Sequence, residues 1–378
     1  MSAPGKHSID PYQRNKSLDY LRGLMATSIM LYHYFYWSGA HLDAGTILGR
    51  LSIYGVSIFY VLSGLTLYIV YNRSISTDFR SILAFLVKRI FRIFPLLWLT
   101  ITGTMIIYKN YPGWKVCFLN YTGLFGFFHL GSYLAAGQWS IGNELVFYLF
   151  FPLFLILSKW RPKLFLLLSI LSIISGLYFA FHILKDNGDL ASQWIAYINP
   201  FNQLLFFAGG ILIGYTGQWI NAEKYKNQVL ALLAIGVLSF AFYPVTGDNI
   251  HIVTGFNRVF FLCISWMICF CFYHQKRAFP GIADRLLTTL GEASYSIYLL
   301  HPLVLSIVTN LNAKYIGLPS RFLTWVSAIV TVLVSYIVYK KLEMPFIRYG
   351  KRLVTRFNGD RFQKTDKDKE QMVLVANK

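Results

Sequence analysis

Charge is scarce in this chain, and acid is the scarcest part of it. Of 378 residues 13% are charged, with 16 Asp and Glu against 35 Lys and Arg. Hydrophobic residues make up 56% and mean hydropathy is positive, which excludes an ordinary soluble domain. Cysteine is nearly absent: Cys117 stands alone, and Cys263, Cys269 and Cys271 share one hydrophobic segment. None has metal-ligand spacing, so core thiols are expected and no metal site. No cleavable leader is expected either. The first apolar stretch is long, contains Arg22 and has no small-residue cleavage site before the next polar loop, so it reads as an uncleaved first span. No internal repeat of the kind that marks many transporters is visible. The net charge of +19 would suit nucleic acid, but the basic residues fall in short loops between apolar segments, leaving no basic domain to hold a duplex. No nucleic-acid partner is expected.

What the chain does have is long apolar runs, several exceeding the roughly 20 residues needed to cross a bilayer. Ten spans are read: 18–37, 51–71, 90–108, 138–158, 164–183, 195–219, 227–243, 255–274, 292–311 and 321–341. The 18% aromatic content, with 26 Tyr, suits interfacial belts and a lined cavity. The expected fold is all-α, a polytopic integral membrane helix bundle of about ten transmembrane helices in contact with membrane lipids. An eleventh apolar stretch, 114–130, is shorter and carries Gly123, Gly126 and His129.

Positive charge decides how that stretch lies. With ten spans and both termini inside, 27 of the 35 basic residues fall on the inner side. Seven lie outside: Arg50, Lys109, Lys115, Lys185, Arg258, Lys314 and Arg321, with Arg258 counted there as a residue at an outer helix end. If 114–130 crossed, every later loop would invert and most positive charge would face outward, against the positive-inside rule. It is therefore expected to be a re-entrant or interfacial helix on the outer face. Residues 1–17 read as a cytoplasmic segment, 18–349 as the membrane domain and 350–378 as a disordered, charged cytoplasmic tail.

The polar residues within spans carry the chemistry, because ionisable groups in lipid are costly and face the bundle interior or a water-filled cavity. Arg22 and His33 are eleven residues apart in the first span, hence on one stripe of one helix and about 16 Å apart along it. In Val87-Lys88-Arg89-Ile90-Phe91-Arg92, Arg89 and Arg92 share a helical face. With Arg22 they could form a phosphate-binding cluster, since guanidinium matches phosphate oxygens bidentately; the alternative is positive-inside charge alone, which is the reading for Lys88. The fourth span begins Gln138-Trp139-Ser140-Ile141-Gly142-Asn143-Glu144. Measured from the outer helix ends, Glu144 and His33 have similar depths, and a carboxylate beside an imidazole would fix its tautomer. Ser140, Glu144 and Tyr148 share a face. Small residues from Gly55 to Gly64 allow close helix approach in the second span. His301, before Pro302, reads as structural.

Taken together these segments resemble the acyltransferase-3 family of membrane O-acyltransferases, from about Ser17 to Arg348. Leu18 to Gly23 and His33 match its Leu-Asp-x-Leu-Arg-Gly run and its Arg-x10-His motif. Arg89 and Arg92 match Arg-x-x-Arg. Trp139, Ser140, Glu144, Phe147 and Tyr148 match its Trp-Ser-Leu-x-x-Glu-x-x-Phe-Tyr segment, with Ile141 for Leu, and Ser294 to His301 and Leu342 to Phe346 match two late patterns. Ser57 stands where many members carry Asp, so no carboxylate role transfers there. Some members carry a fused extracytoplasmic domain that passes the acyl group on. None is expected here, so any such acyl-transfer partner would be a separate protein.

The resemblance implies transfer of an acyl group, most often acetyl, from acyl-CoA to a sugar hydroxyl of a cell-surface polysaccharide or its lipid-linked precursor, in a bacterial cytoplasmic membrane. No permanently bound cofactor is expected, and acetyl-CoA enters as donor co-substrate. Arg89, Arg92 and Arg22 would hold its phosphates. His33 would act on the acceptor hydroxyl as general base or carry the acyl group, Glu144 would orient His33, and Arg22 would position donor or charge. Trp139, Ser140 and Tyr148 would contact substrate. Two rival readings remain open: a polysaccharide exporter using the same polar interior, and an acyltransferase acting on a small molecule.

Overall fold

The computed structural model describes residues 15–72, 78–221, 224–275 and 279–356. The segment before Asn15, the charged tail from 357 onward and the loop residues Arg73, Lys276 and Arg277 lie outside these. The described chain is helical: α1 (Lys16–Trp37), α2 (Ile47–Tyr71), α3 (Phe79–Tyr108), α4 (Trp114–Thr122), α5 (Phe125–Phe128), α6 (Gln138–Trp160), α7 (Pro162–Tyr178), α8 (Trp194–Tyr197), α9 (Pro200–Gly217), α10 (Lys226–Phe242), α11 (Ile250–Val253), α12 (Gly255–His274), α13 (Gly281–Glu292), α14 (Ser294–Leu311) and α15 (Ser320–Val338). The last helix continues through a π-helical turn at Tyr339–Glu343 as far as Arg356. Helix therefore passes the Gly350 boundary expected for the tail.

Among the described residues, eight helical stretches are long and apolar enough to cross a membrane. Two of the ten expected spans fall short of that standard for visible reasons: α1 is made less apolar by Arg22, His33 and its several tyrosines, and α10 has only 17 residues. The surface agrees with a lipid environment. Leu164, Leu166, Leu167, Ile170, Leu171 and Ile174 of α7 are all exposed, a liability in water and the expected face in a bilayer. The protein is an all-α polytopic membrane bundle.

Stretch 114–130 forms two short helices, α4 and α5, and no single spanning helix. α4 descends until its Tyr121 carbonyl accepts from the Trp98 indole at 2.8 Å and its Tyr121 hydroxyl meets Thr102 at 2.6 Å. The turn that follows needs Gly123, whose φ of 75° is left-handed and whose added Cβ would fall 2.4 Å from Leu145. α5 then packs on α6, and residues 129–137 return. The loop therefore dips into the bundle beside α3 and covers the start of α6.

Close helix contacts set the interior. An added Cβ on Gly64 of α2 would lie 2.1 Å from the Phe207 carbonyl oxygen of α9, and one on Gly210 of α9 would lie 2.0 Å from that of Val61. Only backbone fits between these helices. α1 and α13 meet in the same way, Gly23 on Gly291 and Gly291 on the Asp19 backbone. At the edge of that contact Asp284 binds Lys16 at 2.9 Å and the Tyr20 hydroxyl. The Tyr20 bond first, then Lys16, holds its carboxyl below the usual range.

Two of the charges counted on the outer side are buried within the protein. Arg50 is buried and donates to the carbonyls of Ala44, Phe240, Ala241 and Tyr243 at 2.6–2.9 Å. It thereby tethers the C-terminal end of α10, where cations are favoured. Arg258 is 0% exposed, 4.7 Å over the Phe206 ring and 5.8 Å over that of Tyr54.

Candidate active site

α1 and α2 run antiparallel, so pairs between them give a scale of depth. Arg22 Nη2 bonds Thr66 Oγ1 at 2.8 Å and the Leu62 carbonyl at 3.3 Å. Gly55 lies against Ile29, 11 residues earlier on α2 than Thr66. His33 therefore belongs to the end of the bundle opposite Arg22, about 16 Å away by helical rise. Polar side chains gather at both ends.

At the Arg22 end, Asp19 Oδ1 lies 3.2 Å from Arg22 Nη1. The Glu144 carboxylate accepts from Ser63 Oγ at 2.9 Å and from the Tyr148 hydroxyl. Arg89 Nη2 donates to the Tyr71 hydroxyl at 3.2 Å, and its guanidinium is flanked by the rings of Tyr71, Phe85 and Tyr148 at 5.7–5.8 Å. Its Nε is buried without a partner. Arg92 is exposed and lies one turn further along the same face of α3. Buried Glu343 accepts from Ser296. The three expected arginines thus share one end, though Arg89 turns into an aromatic box while Arg92 stays open to ligand.

At the opposite end His33 Nδ1 lies 3.0 Å from His301 Nε2. Trp37 stacks on His33, ring centres 4.9 Å apart. The His301 Nδ1 is 2.8 Å from the Tyr298 carbonyl, and the Tyr298 hydroxyl accepts from Ser140 at 2.9 Å. A cleft of about 490 Å³ opens beside this cluster, walled by Thr104, Tyr108, Asn110, Leu134 and Ala136, with Pro302, the neighbour of His301, on its far side.

The expected pairing of Glu144 with His33 is not what the structure has. Ser63, which holds Glu144, lies one turn of α2 from Thr66, so Glu144 sits near the level of Arg22 and about 12 Å short of His33 by rise. Depth measured from helix ends misleads because α6 begins inside the protein. Gln138 is 0% exposed, bonded to Asn120 at 2.9 Å beneath the re-entrant loop. The group that meets His33 is His301, expected to be structural. The signal for it was in the sequence, as the Pro302 that leaves a carbonyl free one turn earlier.

The three residues expected to contact substrate do not form one surface. Trp139 is enclosed by Trp194 and Tyr197, ring centres 5.4 and 5.8 Å away. Ser140 joins the His301 cluster through Tyr298, and Tyr148 belongs with Glu144 and Arg89 at the other end. Ser63, Thr66 and Tyr71, which position the charged groups, are ordinary polar residues with no spacing to mark them, whereas Ser296 and Glu343 fall within the two late patterns.

This division between a guanidinium end and an imidazole end lies within the part of the sequence, residues 15–340, that matches the acyltransferase domain of the acyltransferase-3 family. The chain belongs to that family. Among its relatives, the exopolysaccharide production protein ExoZ of Rhizobium meliloti is 26% identical over 339 residues, covering 85% of this chain and 96% of ExoZ. YrhL of Bacillus subtilis is 25% identical over 382 residues and O-acetyltransferase OatA of Staphylococcus aureus 24% over 369, covering 93% and 88% of this chain. The match takes in 57% of the length of YrhL and of OatA. No solved structure shows significant similarity to the chain.

Proposed function

We propose that this protein is an O-acetyltransferase of a bacterial cytoplasmic membrane, moving an acetyl group from acetyl-CoA to a sugar hydroxyl of a cell-surface polysaccharide or its lipid-linked precursor. The observation that carries the reading is the placement of Arg22 and His33 on one stripe of α1, each in its own polar cluster at opposite ends of the bundle. A polyanionic donor and a neutral hydroxyl acceptor require those two chemistries, and a donor with a long pantetheine arm connects them. The exporter reading accounts less well for the arginine end, since a neutral glycan has no use for it.

In this reading the Arg22 end faces the cytoplasm, as the excess of basic residues there favours. Arg92, Arg89 and Arg22 take the CoA phosphates, with the free Nε of Arg89 as one donor. The thioester reaches toward His33, and the acceptor approaches through the cleft beside Pro302. His33 takes the hydroxyl proton as general base. The names of OatA and ExoZ support O-acetyl transfer and a polysaccharide acceptor. Mass analysis of surface glycans from cells with and without the gene tests it. Loss of acetyl groups in the deletion, restored by the wild-type chain and not by His33→Ala, is the expected result; unchanged acetylation would remove the proposal.

A further inference from the structure

α14 carries His301 directly before Pro302. Proline has no N–H, so the carbonyl four residues back, that of Tyr298, loses its helical donor. His301 fills the gap with its own side chain, Nδ1 lying 2.8 Å from the Tyr298 oxygen. A carbonyl can only accept, so Nδ1 carries the proton, and in a neutral imidazole Nε2 is then the acceptor. That Nε2 faces His33 Nδ1 at 3.0 Å. The ring planes differ by only 20° and their centres are 5.0 Å apart. His33 must therefore donate from Nδ1, which leaves its Nε2 bare.

The pair is held from several sides. Trp37 lies over the His33 ring. The Tyr34 hydroxyl donates to the His301 carbonyl at 2.8 Å and meets Thr331 at 2.6 Å. His301 itself is 1% exposed, while His33 keeps part of its surface open.

We propose that His301 is a positioning residue that selects the His33 tautomer with an unprotonated Nε2, the form a base needs to accept a hydroxyl proton. The inference rests on reading His33 as the general base. The acceptor O–H proton passes to His33 Nε2 while its oxygen forms a bond to the thioester carbonyl carbon. The C–S bond then breaks, and the CoA sulfur leaves with the proton returned by the imidazolium. His33 ends neutral, with its Nδ1–H bond to His301 intact throughout. Pro302 is part of the device, because a donor in its place would compete for the Tyr298 carbonyl.

Amide side chains separate this role from a merely structural one. Gln at position 301 places its amide oxygen near the site of Nε2, where it can accept from His33. Asn places its amide near the site of Nδ1, so it can satisfy the Tyr298 carbonyl but cannot reach His33. Membrane vesicles containing full-length His301→Gln, His301→Asn or His33→Ala protein are supplied with radiolabelled acetyl-CoA, and label entering glycan is followed. The expected result is a His301→Gln rate within about threefold of wild type, a loss of about a hundredfold or more in His301→Asn, and an unchanged KM for acetyl-CoA in both. Pro302→Ala, which keeps both histidines, should also lower the maximal rate at unchanged KM. Equal rates for the Gln and Asn variants, high or low, overturn the positioning role if His33→Ala is inactive. An active His33→Ala overturns instead the reading of His33 as base.

Discussion

Ser63 Oγ donates to Glu144 at 2.9 Å, one turn of α2 from the Thr66 hydroxyl that binds Arg22. That bond assigns Glu144 to the arginine end of the bundle, in the field of Arg22, and takes it away from the imidazole. Replacing Glu144 by Gln keeps an acceptor for Ser63 and Tyr148 while removing a negative charge that competes with bound phosphate. CoA should therefore bind as tightly as to the wild type or tighter, by up to about 1 kcal/mol at an effective dielectric typical of proteins. The pH dependence of transfer should stay unchanged. Calorimetric titration of CoA with rate profiles of the same variant checks both, and a displaced pH profile would return Glu144 to the side of His33.

Arg89 and Arg92 differ in surroundings although they share a helical face. Lys at either position keeps the charge but loses the planar fork. CoA affinity should fall by about 1.5–3 kcal/mol for each lost charge-assisted contact, and the double variant should lose more than either single one. At Arg89 the aromatic box of Tyr71, Phe85 and Tyr148 also loses its flat partner, so Arg89→Lys should lower thermal stability as well, whereas exposed Arg92 should not. Equal CoA affinity in the double Lys variant and the wild type would mean that these arginines are cytoplasmic charge only.

His33→Ala should stop acetyl transfer, with a loss of at least about 10²–10⁴ in rate, while CoA binding stays close to normal because the phosphate site lies about 16 Å away. Size-exclusion behaviour and CoA titration on the purified variant separate lost chemistry from lost folding. Substantial transfer by a monodisperse His33→Ala protein would exclude the imidazole from the reaction.

The re-entrant course of 114–130 makes a topological prediction. Reporter fusions placed after Lys115 and at Gly137 should both report the non-cytoplasmic side, because α4 dips to Trp98 and Thr102 and the chain then comes back. Opposite sides would mean that the stretch crosses, which would invert every later helix.

Hydropathy and charge alone were enough to read the helical class, the course of 114–130 and the sharing of one end by Arg22, Arg89 and Arg92. All three depend on properties local to the chain or on its large charge asymmetry. The partner of His33 was not legible in that way. Depth had to be counted from helix ends, and the buried start of α6 at Gln138 shifts Glu144 inward by more than a turn. The burial of Arg50 and Arg258 was not legible either, each being closed over by elements 190 or 55 residues distant in sequence. Lateral neighbours of a membrane helix are chosen by packing, which no single-helix period records.

Packing between α2 and α9 yields the last prediction. On Gly64 a Cβ would lie 2.1 Å from the Phe207 carbonyl oxygen, and on Gly210 one would lie 2.0 Å from that of Val61. Both obstructions are backbone, so neither can rotate away, and the helices must separate. Overpacking typically costs about 1–3 kcal/mol, and Gly64→Val should reach the top of that range because relief requires moving a whole helix. The displacement would also carry Ser63 and Thr66 away from Glu144 and Arg22, so CoA affinity should fall together with thermal stability in detergent. Gly113→Ala is the matched control, since nothing lies within 4 Å of its added Cβ and its φ is −58°; it should leave both quantities unchanged. If Gly64→Val were as stable as Gly113→Ala, α2 and α9 would not be in backbone contact.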